Sequence, residues 1–220
     1  MRVVSRMTAR SLAVLGATGR TGRRVVEYAL ADGHRVRALA RRTDALAALA
    51  HPRLIVVAGD ARDAADVARA VGDADAVLSA LGGGTTAAPG TARSDGVRHA
   101  AAALLARGTP EARLLAVAGG GILDAPEGGL RQERPTFPAV FGLVSAEHRR
   151  AWEAVRDTSL AWTMVCTGDI VPGERTGRWR ALADVMPEGG RRISVEDLAG
   201  FLLEELAAGR FVRRRVGLAY

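Results

Sequence analysis

Gly16, Gly19 and Gly22 stand at a spacing of three in the run Gly16-Ala17-Thr18-Gly19-Arg20-Thr21-Gly22. The run lies between the apolar stretch Leu12–Leu15 and the helical pattern Arg23–Ala31. Where a strand hands over to a helix, such a run is the phosphate-binding turn of a dinucleotide fold. Gly16 lets the chain turn sharply, Gly19 lets the backbone approach a pyrophosphate, and Gly22 lets the new helix lie close to the sheet. Backbone N–H groups at the helix start then point at the anion, and the helix dipole favours its charge. Thr18, Arg20 and Thr21 complete the turn, and the Arg20 side chain adds positive charge beside it. Val25, Val26, Ala29 and Leu30 recur on one helical face, and Asp32-Gly33 closes the helix.

A second basic feature bears on the choice of nucleotide. An acidic residue at the end of the second strand would hold the ribose 2′-hydroxyl of NAD. This chain has Arg41-Arg42 there. Guanidinium groups present paired donors to a 2′-phosphate, so the expected cofactor is NADPH; the blander reading is a solvated strand end.

The polar residues left for proton transfer near the same edge are Glu147, His148, Asp169 and Ser79. A histidine there could protonate a reduced substrate at neutral pH, unless Glu147-His148-Arg149-Arg150 is simply an exposed helical face. Asp169 follows a strand in Thr167-Gly168-Asp169. Partly buried under the loop Gly119–Phe141, its carboxyl would be pushed toward neutral pH and could donate a proton. The competing role is to tie down its own loop. Cys166 lies in an apolar strand and reads as core.

The elements that must carry these residues alternate. Strands are expected at Leu12–Leu15, His34–Ala40, Arg53–Ala58, Asp75–Leu81, Arg113–Ala118, Leu160–Cys166 and Arg213–Ala219. Helices are expected over Thr18–Ala31 with its turn, Thr43–Ala50 with Thr43 as N-cap, Asp63–Val71, Ser94–Arg107 and Leu143–Asp157. A last helix opens at Ile193–Leu198 with Ser194 as N-cap and Asp197 three residues on. Alternation of this kind implies an α/β Rossmann-type fold: one doubly wound domain, a parallel sheet with helices on both faces. Gly82–Gly90, Gly119–Phe141 and Thr167–Gly177 read as loops after the fourth, fifth and sixth strands, all at the carboxyl edge where ligands bind.

Composition narrows the classes further. A hydrophobic share of 48% and a charged share of 25% are ordinary for a globular chain of one domain, expected over residues 11–220. Residues 1–10 carry three arginines with no apolar core behind them, so they read as a flexible leader rather than a signal peptide. No apolar run is long enough to cross a bilayer. One cysteine excludes an internal disulfide or a cysteine metal cluster and fits a reducing cytoplasm; no metal is expected. The net charge of +7 comes from arginine alone, since there is no lysine. The few scattered aromatic residues offer no stacking platform for bases, so nucleic acid is not an expected partner.

These motifs together resemble the atypical short-chain dehydrogenase/reductase families with an NAD(P)H-binding domain. Within them the chain looks like the biliverdin reductase B/flavin reductase group, with NmrA-like relatives. The resemblance rests on Gly16–Gly22, Arg41, Gly59-Asp60 with Ala65-Asp66-Val67, Asp75–Leu78, Trp152–Trp162, and Ile193-Ser194 with Asp197-Leu198. It implies that Asp60 and Ala61 flank the adenine, that Ala80, Leu81 and Gly82 run under the ribose, and that Ala118, Gly119 and Gly120 approach the nicotinamide. It also locates departures. The usual tyrosine with a lysine four residues later is absent, because the only tyrosines are Tyr28 and Tyr220 and there is no lysine. Gly119 stands where the flavin/biliverdin reductase group has a serine, and Asp169 where it has a histidine. An acidic residue and a histidine at Glu147 and His148 match the relatives. The expected activity is NADPH-dependent hydride transfer to a flat conjugated small molecule, by a monomer or homodimer. The alternatives are an isomerase, epimerase or cyclase that binds the nucleotide, and a non-catalytic NADP(H) sensor of the NmrA type.

Overall fold

A computed structural model describes residues 9–83, 85–109 and 112–220. Strand β1 (Ser11–Leu15) is buried along its whole length. It pairs in parallel with β2 (Arg35–Ala40) on one side and β4 (Ala76–Ser79) on the other. Outward from β2 lies β3 (Leu54–Ala58); outward from β4 lie β5 (Arg113–Gly119) and β6 (Ala161–Thr167). The order β3-β2-β1-β4-β5-β6 is that of a doubly wound dinucleotide-binding sheet.

Helices cover both faces. Leu12 and Val14 point into a core shared with α1 (Arg20–Ala31) and α5 (Val195–Ala208), through Val25, Val26, Phe201 and Leu202. Ala13 and Leu15 point the other way, toward α2 (Ala64–Val71), α3 (Ala92–Ala106) and α4 (Gly142–Arg156), where Val67, Leu104 and Val155 are buried. Period-two alternation thus feeds two cores from one strand, which is why these strands read as unbroken apolar runs. Asp63 caps α2 by accepting from Asp66 N–H at 2.9 Å, and Ser194 caps α5 by accepting from Asp197 N–H at 3.0 Å.

Three features differ from the sequence-based expectation. Beyond β6 and the expected last strand, β10 (Arg214–Ala219), which runs parallel to β6, the sheet gains an unexpected β8 (Arg180–Ala183), antiparallel to β10. A short parallel ladder of β7 (Asp169–Val171) and β9 (Arg192–Ser194) occupies part of the expected loop Thr167–Gly177. Strands of three or four residues carry too little alternation to be legible alone. Thr43 is not a cap: it lies inside a 3-10 turn over Thr43–Leu49 that follows Arg42 without a side-chain cap. The expected leader, residues 1–10, falls outside the described residues except at Ala9 and Arg10. Arg10 is tied down, its N–H donating to His34 Nδ1 at 3.0 Å and its guanidinium to the Leu206 carbonyl at 3.3 Å. Among the described residues no helix is long and apolar enough to cross a membrane.

Candidate functional site

The glycine turn has the geometry its spacing implies. Gly16 sits at φ +79°, where a side chain is strained, and a Cβ there would lie 2.7 Å from the Ala80 carbonyl oxygen. A Cβ at Gly22 would overlap the Gly16 carbonyl, so only glycine lets α1 pass this close to β1. Gly19 N–H donates to the Gly16 carbonyl at 3.0 Å, which closes the turn. Gly19 is the N-cap of α1; it supplies no side-chain cap, and the first turn holds no acidic residue. The N–H groups there and the positive end of the helix dipole are open to an anion.

This turn forms one end of a cavity of about 510 Å³, within the range of small-molecule sites. Gly16, Thr18, Gly19, Arg20 and Thr21 line that end. Leu39 and Arg41 at the end of β2, Asp60 and Ala61 after β3, and Ala80, Leu81 and Gly82 after β4 line the rest. The segment from Pro89 to Ala92, leading into α3, closes the side. Arg42, Gly22, Ala118, Gly119 and Gly120, also expected at the site, are outside the lining. Arg42 is exposed beside Arg41; Gly22 acts through packing; the other three lie at the end of β5, farther along the same edge.

Sequence reasoning missed Arg62. It lines the cavity and grips Asp60, with Nη2 donating to Oδ2 at 2.6 Å and Nε to Oδ1 at 3.1 Å. Those bonds from Arg62, side chain first and backbone second, hold the Asp60 carboxyl down at about 2. Arg41 lines the same cavity and makes no ion pair among the described residues. Its charge, like that of Arg20 at the other end, is therefore left over for a ligand. A spacing of two, Asp60-Ala-Arg62, was the only signal available for this pair.

Around the end of β5 the expected catalytic residues separate. His148 is half-buried, and its Nδ1 accepts from Gly119 N–H at 2.9 Å. A Cβ at Gly119 would lie 2.5 Å from that nitrogen, so the ring occupies space that any other side chain would need. Burial, helped by the charge of Arg93, pushes the ring down to about 3. His148 is thus neutral at ordinary pH, and with Nδ1 accepting, its proton sits on Nε2. In that state the ring presents a neutral N–H donor.

Glu147 is fully buried. Its Oε1 accepts from Ser94 N–H at 2.8 Å and its Oε2 from Arg150 Nη2 at 2.7 Å. The carboxylate therefore completes the first turn of α3, where an unpaired N–H and the helix dipole both call for an anion. Ser79 is buried inside β4. Asp169 opens β7 and is exposed, its N–H donating to the Arg191 carbonyl at 2.8 Å. The burial that would make it a proton donor is missing. Cys166 is fully buried and its thiol is pushed up by desolvation, as core placement requires.

A family model described as NAD(P)H-binding matches residues 16–208. Among solved structures, a Burkholderia pseudomallei protein provisionally described as exported is 32% identical, covering 96% of this chain and 100% of its own, with a TM-score of 0.76. A Streptococcus pneumoniae protein provisionally assigned as an NADH-flavin reductase is 26% identical over 96% and 99%, with a TM-score of 0.79. The anaerobillin reductase ChuY of Escherichia coli O157:H7 shares the fold at 24% identity over 95% and 96%, with a TM-score of 0.74.

Proposed function

Because the chain belongs to the NAD(P)H-binding family, we propose that it is an NADPH-dependent reductase acting on a flat conjugated small molecule, such as a quinone, flavin or polyketide. One observation carries the reading: the uncapped start of α1 and Arg41, which has no ion-pair partner among the described residues, line one and the same cavity, as the pyrophosphate and 2′-phosphate sites of one nucleotide would. The residues present fit that group. Backbone N–H groups of the Gly16–Thr21 turn would hold the pyrophosphate, and Arg41, with Arg42 beside it, the 2′-phosphate. Asp60 and Ala61 would flank the adenine, Ala80 to Gly82 the ribose, and Ala118 to Gly120 the nicotinamide. When bound, the reduced nicotinamide supplies a hydride.

The chain's own part in the reaction is modest. His148, neutral and fixed by Gly119, offers Nε2–H as a hydrogen-bond donor rather than a mobile proton. Such a donor suffices where the acceptor spreads its new charge by conjugation, whereas a simple ketone needs a stronger acid. The pneumococcal relative's assignment as a flavin reductase supports the same acceptor class. A cytoplasmic setting and a monomeric or homodimeric chain belong to this proposal.

The test is anaerobic incubation with NADPH and a panel of quinones and flavins, followed through the nicotinamide absorbance. Oxidation with at least one acceptor is expected. Tight nucleotide binding without oxidation by any of them would favour an isomerase or a nucleotide sensor. Asp169→Asn is expected to keep kcat within about threefold; a loss of about 10²-fold would restore Asp169 as the proton donor.

A further inference from the structure

Arg93 is the second residue of α3 and is half-buried. Its Nε donates to the carbonyl of Leu81, a cavity-lining residue, at 3.2 Å, and among the described residues this is its only hydrogen-bond partner. The buried carboxylate nearest in sequence to His148 is already engaged, since Glu147 spends one oxygen on Ser94 and the other on Arg150. That Glu147–Ser94 bond also fixes geometry. It ties the residue after Arg93 to the residue before His148, so the first turn of α3, which carries Arg93, is fixed against the second turn of α4, which carries His148. His148 in turn reaches the end of β5 through Gly119. Arg93, bonded to Leu81 just beyond β4, and His148, bonded to Gly119 at the end of β5, thus stand at the carboxyl ends of two neighbouring strands.

We propose that Arg93 and His148 form a receptor for a substrate oxygen that is anionic or becomes so on reduction. This rests on the reductase reading and names the acceptor within it: a conjugated carbonyl compound whose charge settles on oxygen. An acceptor that takes a hydride at carbon gains two electrons and one negative charge, and conjugation places that charge on the oxygen. Arg93 and the Nε2–H of His148 stabilise it there, and water supplies the proton that completes the reduction. The two residues divide the work of a donor and its supporting cation between two helices, in a chain without a tyrosine–lysine pair. Burial lowers the Arg93 pKa from its usual value, with Glu147 opposing, and such a group stays protonated.

The experiment measures binding to the NADP⁺-loaded protein by calorimetry, with hydroxynaphthoquinone, an enolate at neutral pH, and unsubstituted naphthoquinone as probes. The wild type should bind the enolate at least about tenfold more tightly, the scale of one charge-assisted hydrogen bond. Arg93→Met should remove that preference and Arg93→Lys retain part of it, both measured at saturating NADP⁺. His148→Phe should weaken both quinones. Equal binding of the two quinones by the wild type overturns the receptor, as does a preference that survives Arg93→Met, or no effect of His148→Phe. The wild-type comparison reads even where a variant does not fold. If the wild type binds NADPH but neither binds either quinone nor oxidises NADPH with any acceptor of the quinone and flavin panel, the reductase reading itself falls.

Discussion

In the proposed reading Arg41 selects between nucleotides, because it is an unpaired cavity charge at the end of β2 while Arg62 is spent on Asp60. Arg41→Ala should weaken NADPH by roughly tenfold to a hundredfold, the equivalent of about 1.5–3 kcal/mol for one charge-assisted contact, and leave NADH almost unchanged. Titration of both nucleotides checks this; equal weakening would remove Arg41 from the site. His148 gives a pH prediction. Its folded value of about 3 is below the ordinary 6.5, through burial first and Arg93 second, while Glu147 on its own helix is neutralised by Arg150. Between those two values the unfolded chain binds the extra proton, so this contribution is fully present above the ordinary histidine value and is lost as pH falls toward about 3. Urea midpoints of His148→Gln should therefore decline less on acidification than those of the wild type, and kcat should show no step near the ordinary histidine value. At this scale glycines were legible because their spacing is itself the geometry. The state of His148 and Asp169 was not, because burial is decided by Gly119 and by the β7 ladder, neither of which is local to them.

At the scale of elements, the junction of α3 and α4 is held by Glu147, a side chain of one helix completing the first turn of the other. Replacing it with glutamine keeps the shape but removes the charge that matches Arg150 and the dipole of α3. Because Arg150 is half-exposed, solvent screens part of that pair, and a loss of about 1–3 kcal/mol is expected. It should appear as a lower urea midpoint, with faster amide exchange at Ser94 than in the core of α1; unchanged exchange there would show that the junction does not depend on Glu147. Ser194→Ala removes the cap of α5 and should cost about 1 kcal/mol, read in the same way. The Ser194 cap was visible in the sequence as a serine three residues before an aspartate, a local rule. The Glu147 cap was not, since 53 residues separate it from the amide it serves. Strands β1 to β6 announced themselves by apolar runs or, in β2, by alternation, whereas β8 and β9 are held by partners distant in the chain, through β10 and β7.

Across the whole molecule, alternation implies a parallel sheet and the carboxyl edge where a ligand must lie, while the order β3-β2-β1-β4-β5-β6 comes from the structure. What alternation does not determine is how the positive excess is distributed. Much of the arginine charge is matched internally: Arg113 by Glu205 in the core, Arg215 by Asp124 and Asp184 at the β10 edge, Arg69 by Asp66 on α2. The net charge of +7 nevertheless remains, and Arg20 and Arg41 face the cavity without a carboxylate partner among the described residues. A field of that sign draws a polyanionic nucleotide, more strongly the more charge it carries, and salt screens it over a Debye length of about 10 Å at 0.1 M. NADPH differs from NADH by a 2′-phosphate of roughly two negative charges, by analogy with other phosphate monoesters. Raising ionic strength from about 0.05 M to about 0.5 M should therefore weaken NADPH more steeply than NADH. In Arg41→Ala the two slopes should converge, because the residue that reads the extra phosphate is gone while the rest of the field is intact. Parallel slopes in the wild type would mean that the field acts on the pyrophosphate alone and that the 2′-position lies outside its reach.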